Sequence, residues 1–158
     1  MTAAPASVAS PAPAHFRHRR MVEFADTDLA GIVHFANFFR YVESAEHAFV
    51  RSLGFSIHSS AGSTHDGWPR LEVSCQYLKP ARFQETLEIA LRLEELRTTS
   101  LRYAFEITCV DDPARGVLAT GRFAIIHVSL DTATRTLTKS PIPPALRAKL
   151  ESLLPPPA

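Results

Sequence analysis

FADTDLAGIVHFANFFRYVESAEHAFVRSLG, residues 24–54, is the stretch whose reading decides the fold. After Gly31 its apolar residues fall at Phe35, Phe38, Val42, Ala45, Phe49 and Leu53. Steps of three and four put one apolar stripe along one side of a helix. Arg40, Ser44, His47 and Arg51 fall largely on other faces. Gly54 suits the left-handed conformation that ends such a helix. The spacing therefore predicts one long amphipathic helix, its first residue uncertain by a turn.

The chemistry lies just in front of that helix. A helix N-terminus presents unpaired backbone N–H groups and a partial positive charge. It can bind an oxyanion or polarise a carbonyl whose oxygen is gaining charge. Asp26 and Asp28 stand one residue apart, in a turn made flexible by Gly31. A carboxylate beside an electrophile held on those N–H groups can attack it, or can deprotonate a water that attacks. The plainer reading makes the two acids a helix cap and a solvated loop residue. The residues alone leave both readings open.

The stretch FADTDLAGIVHFANFFRY resembles the signature of the 4-hydroxybenzoyl-CoA thioesterase family, whose fold is the hot-dog fold. The matching positions are Asp26-Thr27-Asp28, Gly31, Ile32-Val33, Phe35 and Asn37-Phe38, with the gaps between them kept. The resemblance implies that Asp28 is the catalytic carboxylate and that the main-chain N–H of Phe35 polarises the thioester carbonyl. Some relatives carry His at the Phe35 position; here the imidazole comes one place earlier, at His34. The motif is specific over residues 24–41. From residue 16 to residue 130 the chain matches in pattern rather than residue by residue.

Length and composition bound the remainder. The chain has 158 residues, enough for one domain with a core, and is 46% hydrophobic and 21% charged. A net charge of +1 gives no sign of bulk nucleic-acid binding. The cluster His15, Arg17, His18, Arg19 and Arg20 reads as the solvated side of a first strand rather than a phosphate contact. Cys75 and Cys109 cannot form a metal cage by themselves, and two thiols without a secretory signal suggest a reducing compartment. No apolar run approaches membrane-spanning length, so a cytoplasmic protein is expected. His58 and His65 lack zinc spacing, and no serine sits in a nucleophile-elbow pattern.

Taken in order, residues 1–14 are an Ala, Pro and Ser tail expected to be disordered. Residues 16–24 suit a strand leading into the Asp28 turn. Residues 55–67, rich in Ser, Gly and His, read as a loop. Four strands follow, at 69–78, 86–93, 101–110 and 117–130. Leu87, Ile89, Leu91 and Leu93 share one face of the second; Leu101, Tyr103, Phe105 and Ile107 share one face of the third. The last is apolar on both faces. Asp111-Asp112-Pro113 and residues 131–134 are turns. Residues 143–154 suit a short helix, stopped by the Pro-rich end at 155–158. The fold class expected is α+β, an antiparallel sheet wrapped around one long central helix, with residues 15–154 as a single domain.

The resemblance implies hydrolysis of an acyl-CoA thioester to a free acid and CoA, with no metal or redox cofactor. His34 and Asn37 are candidates to line the site or bind the attacking water, against capping and surface roles. Arg97, in a strand-to-strand turn, is a candidate for the CoA phosphates. Glu43 lies two turns into the helix, and pairing with His47 at i,i+4 is its expected role. Phe35, Phe38, Phe39 and Trp68 are candidates for an aromatic pocket, although core packing explains such residues more often. The family's subunits pair into dimers and commonly tetramers with interfacial sites, so a homodimer or homotetramer is expected. A carrier-protein thioester as substrate and a non-catalytic acyl-binding domain are the alternatives; a nucleic-acid binder built on Arg17–Arg20 is a third.

Overall fold

The computed structural model describes residues 13–154; the expectations for residues 1–12 and for the Pro-rich end fall outside them. The predicted helix is α1, Phe35–Ser52. Phe38, Val42, Ala45 and Phe49 of the stripe are buried, joined by Tyr41, Glu46 and Val50. Phe35 is not part of the core: it is 61% exposed at the helix start. Gly54 follows the C-terminus with φ of +88°, as its position required.

The strands form two sheets, the larger of which packs against this helix. β1 (Phe16–Met21), β5 (Thr86–Leu96), β6 (Ser100–Cys109), β7 (Val117–Ile126) and β4 (Arg70–Tyr77) make a five-stranded sheet in the order β1-β5-β6-β7-β4. All its pairings are antiparallel. The alternation in β5 and β6 sends Leu87, Ile89, Leu91, Leu93, Leu101, Tyr103, Phe105 and Ile107 into the core with the α1 stripe. A short helix α2 (Pro144–Glu151) adds Leu146 and Leu150 to that core.

Three expectations change. The first strand ends at Met21, because residues Phe24–Asp26 turn into one 3-10 helix. The expected loop at 55–67 contains β2 (Ser60–Ala61) and β3 (Thr64–Gly67), which join β8 (Val128–Asp131) and β9 (Thr136–Lys139) in a second, four-stranded sheet. Their polar sequence carries no alternation; β2 is held by backbone pairing with β3, and β3 by pairing with β8. The expected strand at 117–130 breaks at His127. There the backbone N–H bonds to Thr99 O at 2.7 Å and the carbonyl accepts from Ser140 N–H at 3.1 Å, diverting both groups from the ladder.

Gly121 sits where the central ladder is tightest. A Cβ there would run into the backbone oxygen of Ser74 and lie 2.6 Å from a ring carbon of Phe105. Both neighbours are fixed, one by the β4–β7 pairing and one by the core. Gly121→Ala is therefore expected to destabilise the fold by about 1–3 kcal/mol, the range for forced overpacking. Urea unfolding against wild type measures it.

Candidate active site

Residues 26–34 form a closed loop between the 3-10 turn and α1. Asp28 N–H bonds to Ile32 O at 2.9 Å, Gly31 N–H to Asp28 O at 3.0 Å, and Thr27 pairs with Val33. Gly31 makes the reversal with φ of +71°, a conformation that side-chain-bearing residues seldom adopt. The loop is anchored outside itself by Val33 N–H on Ala81 O at 2.8 Å and by a bridge between Ile32 and Arg82.

The two acids have opposite surroundings. Asp26 is buried at 8% exposure, and its carboxylate accepts the N–H of Glu23 at 3.0 Å. It also stands near the phenol of Tyr41, whose pKa is raised by burial first and by Asp26 next. Asp26 is thus a structural acid. Asp28 is exposed; its Oδ1 accepts the N–H of Ala30 at 2.8 Å, which fixes the side chain, and among the described residues Oδ2 meets no donor. One carboxylate is held in the fold and the other faces solvent.

The helix start supplies the complementary charge. His34 is the N-cap, in extended conformation, and its Nδ1 accepts the N–H of Ala36 at 3.3 Å. That bond needs the Nδ1 lone pair, so in the neutral ring the proton sits on Nε2. The His34 and Phe35 rings lie 4.4 Å apart. The N–H of Phe35, first in α1, has no acceptor among the described residues. It remains open for a ligand oxygen at the positive end of the helix. Tyr77 on β4 donates its hydroxyl to Phe35 O at 3.2 Å and packs edge-on to Phe38 at 5.2 Å. Burial, and then the Cys75 thiol, push the Tyr77 pKa up to about 12, so the phenol stays a donor at neutral pH.

Asp28, His34, Phe35 and Asn37 therefore gather on one loop and one helix turn. Asn37 does not face open solvent there: its amide Nδ2 bonds to Asp26 O at 2.8 Å. Arg97 lies elsewhere in the same chain. It follows β5 at the end opposite Thr86, where that strand leaves the Asp28 region, and its guanidinium pairs with Glu95 at 2.7 Å. Eleven residues of strand separate the two ends, about 35 Å at ordinary rise. Arg82 is the cation beside the loop instead. Nearby Lys79 bonds to the Arg115 carbonyl and Arg115 pairs with Glu85; the Arg82 backbone N–H also bonds to Glu85, at 2.9 Å, but among the described residues its guanidinium pairs with no carboxylate. No sequence signal marks Arg82, because the Ile32 bridge joins residues far apart in the chain.

Other residues settle into structural places. Phe38 is core, and Trp68 packs on His127 at 4.6 Å. Glu43 does not pair with His47; it lies 3.8 Å from Arg70. Arg17 and Arg19 are both paired with Glu88, and Arg20 lies over the Tyr41 ring at 5.1 Å. No helix among the described residues is long and apolar enough to cross a membrane.

The chain as a whole is similar to known proteins. Residues 22–150 match the model of the thioesterase-like superfamily. A 1,4-dihydroxy-2-naphthoyl-CoA hydrolase of Synechococcus elongatus is 29% identical over 141 residues, covering 87% of this chain and 96% of the relative. The structure of a 1,4-dihydroxy-2-naphthoyl-CoA thioesterase from Synechocystis aligns with a TM-score of 0.73 at 22% identity, over 87% of this chain and 96% of that one. A gentisyl-coenzyme A thioesterase aligns with a TM-score of 0.68 at 25% identity, over 85% and 98%.

Proposed function

The chain belongs to the thioesterase-like superfamily and is a thioester hydrolase of hot-dog fold; from there we propose that it hydrolyses aromatic acyl-CoA thioesters, with Asp28 as the reacting carboxylate. The observation that carries this reading is the pairing of a free Asp28 Oδ2 with an open N–H on Phe35, on one loop and one helix turn. The thioester carbonyl oxygen takes the Phe35 N–H, where the helix end stabilises its growing charge. Asp28 then either attacks the carbonyl carbon or removes a proton from an attacking water. By either route the C–S bond breaks, CoA leaves as the thiol and one water is consumed. These groups suffice without a metal or redox cofactor.

The aromatic acyl class is supported by the relatives' names, 1,4-dihydroxy-2-naphthoyl-CoA hydrolase and gentisyl-coenzyme A thioesterase. Two further parts go with the reading. First, the protein assembles as a homodimer or homotetramer: β4 is a free edge of the main sheet, and Leu71, Val73, Tyr77 and Leu78 on and beside it are 46–60% exposed. Second, it is cytoplasmic, in keeping with two free thiols, Cys75 and Cys109.

The test is release of free thiol from a panel of acyl-CoAs running from acetyl to palmitoyl, with benzoyl, hydroxybenzoyl and dihydroxynaphthoyl members. Selective turnover of the aromatic members supports the assignment. Turnover of aliphatic members alone overturns the acyl class, and no turnover of any CoA thioester points to a carrier-protein substrate or a binding domain. Arg82, in the role expected of Arg97, supplies a phosphate contact. Arg82→Ala is expected to raise KM for CoA thioesters about fivefold, matching about 1 kcal/mol for an exposed charged contact. KM for a pantetheine thioester, which lacks the nucleotide phosphates, stays unchanged.

A further inference from the structure

We propose that Asn37 is a positioning residue that sets Asp28 against the start of α1, and not a contact for substrate or water. The proposal rests on the reading of Asp28 as the reacting carboxylate. Most bonds of the 26–34 loop tie it to itself: Thr27 to Val33, Asp28 N–H to Ile32 O, and Gly31 N–H to Asp28 O. Such bonds keep the loop's shape but do not fix where it sits on the helix. Two bonds do that, and both end on one atom. The carbonyl oxygen of Asp26 accepts the backbone N–H of His34 at 2.9 Å and the side-chain amide of Asn37 at 2.8 Å.

The two donors differ in what they hold. His34 precedes the helix and belongs to the loop's own return limb. Asn37 lies inside the first turn of α1, so its amide links the helix body to the loop backbone, while Tyr41, a turn further on, stands by the Asp26 side chain. Its partner is a carbonyl, which accepts only, so the NH₂ end of the amide must face it. The pinned carbonyl stands two residues before Asp28, on the limb whose other bonds define the Asp28 turn. The same helix turn carries the open N–H of Phe35. Asn37 therefore fixes the separation of the two groups that must meet one thioester carbonyl.

A misplacement of about 1 Å from such a change costs about 10²-fold in rate. Asn37→Ala is accordingly expected to lower kcat about 10- to 100-fold, by a similar factor for each acyl-CoA turned over, with KM changed less than about threefold. Asn37→Gln keeps an amide donor and recovers part of the rate. Asn37→Asp sets a carboxylate against the Asp26 carbonyl and does not.

The deciding experiment combines Asn37→Ala with Asp28→Asn and measures residual thiol release at high enzyme concentration. A positioning residue has nothing left to position once the carboxylate is gone, so the double variant is expected within about twofold of Asp28→Asn alone. A full further loss in the double variant would mean that Asn37 touches substrate or water, and would overturn the proposal. So would wild-type kcat in Asn37→Ala. Should the Ala variant fail to fold, the same cycle is run with Asn37→Asp and Asn37→Gln, whose side chains fill the site. Full activity of Asp28→Asn alone would instead remove the reading of Asp28, whatever Asn37 does.

Discussion

Asp28→Asn is expected to lower kcat for thioester hydrolysis by about 10²–10⁴-fold, the usual contribution of a positioned general base, with KM little changed. The substitution is close to isosteric. Its amide oxygen can still accept the N–H of Ala30, the bond that orients the side chain, so the loop keeps its shape. What it removes is the negative charge on an exposed carboxylate with one oxygen left open. Thiol release by wild type and variant, with melting temperatures measured in parallel, separates lost chemistry from lost fold. Unchanged turnover with an unchanged melting temperature would sink the assignment of Asp28. The corresponding Asp26→Asn change acts on a buried acid that holds the 3-10 turn, so it belongs with the fold.

The second large effect is on stability. Glu46 lies on the buried side of α1 at 1% exposure, ion-paired with Arg70 at the start of β4. Among the described residues its Oε1 has no hydrogen-bond partner, and Arg70 also lies 5.0 Å over the Phe123 ring. Arg70→Met leaves that carboxylate buried without its counter-charge. Breaking such a pair typically costs about 3–5 kcal/mol. Because the Arg70 side chain is 32% exposed, the lower end applies, about 3 kcal/mol or roughly 6–12 °C in Tm. Arg70→Met combined with Glu46→Leu removes both charges and is expected to regain most of the loss. If Arg70→Met melts with wild type, the pair contributes nothing and the account of it fails.

Glu46 also sets a pH dependence. Burial raises its pKa more than Arg70 lowers it. The folded protein therefore holds this proton more tightly than the unfolded chain does. Its favourable contribution is complete below the ordinary value of 4.5 and is lost as pH rises through the raised folded value. Glu46→Gln is expected to flatten the stability profile across that window, seen by urea unfolding at a series of pH values.

Several features were legible before any coordinates. The stripe from Phe38 to Phe49 declared α1, because a helix that covers a sheet must repeat apolar residues at three and four. The alternation in β5 and β6 declared two half-buried strands for the matching reason. The small sheet was not legible. β2 and β3 are short, polar and held by backbone pairing, β2 with β3 and β3 with β8, which leaves no periodic trace in side chains. The break at His127 was hidden because residues 123–128 are buried throughout, and a continuous apolar run shows no interruption.

The sequence by itself determined the long helix, the antiparallel α+β class and the local group of Asp28, His34, Phe35 and Asn37, because all of these depend on neighbours a few residues away. Only the tertiary structure decided the surroundings of that group. Asp26 is buried under Tyr41 while Asp28 stays open; Asn37 turns to the Asp26 carbonyl; Tyr77 reaches Phe35 from a strand 42 residues on. It also set Arg82 beside the loop through the Ile32 bridge and gave Glu46 a partner in Arg70. Those assignments depend on burial and on pairs brought together by sheet pairing and by helix-on-sheet packing, and neither leaves a mark in the order of residues.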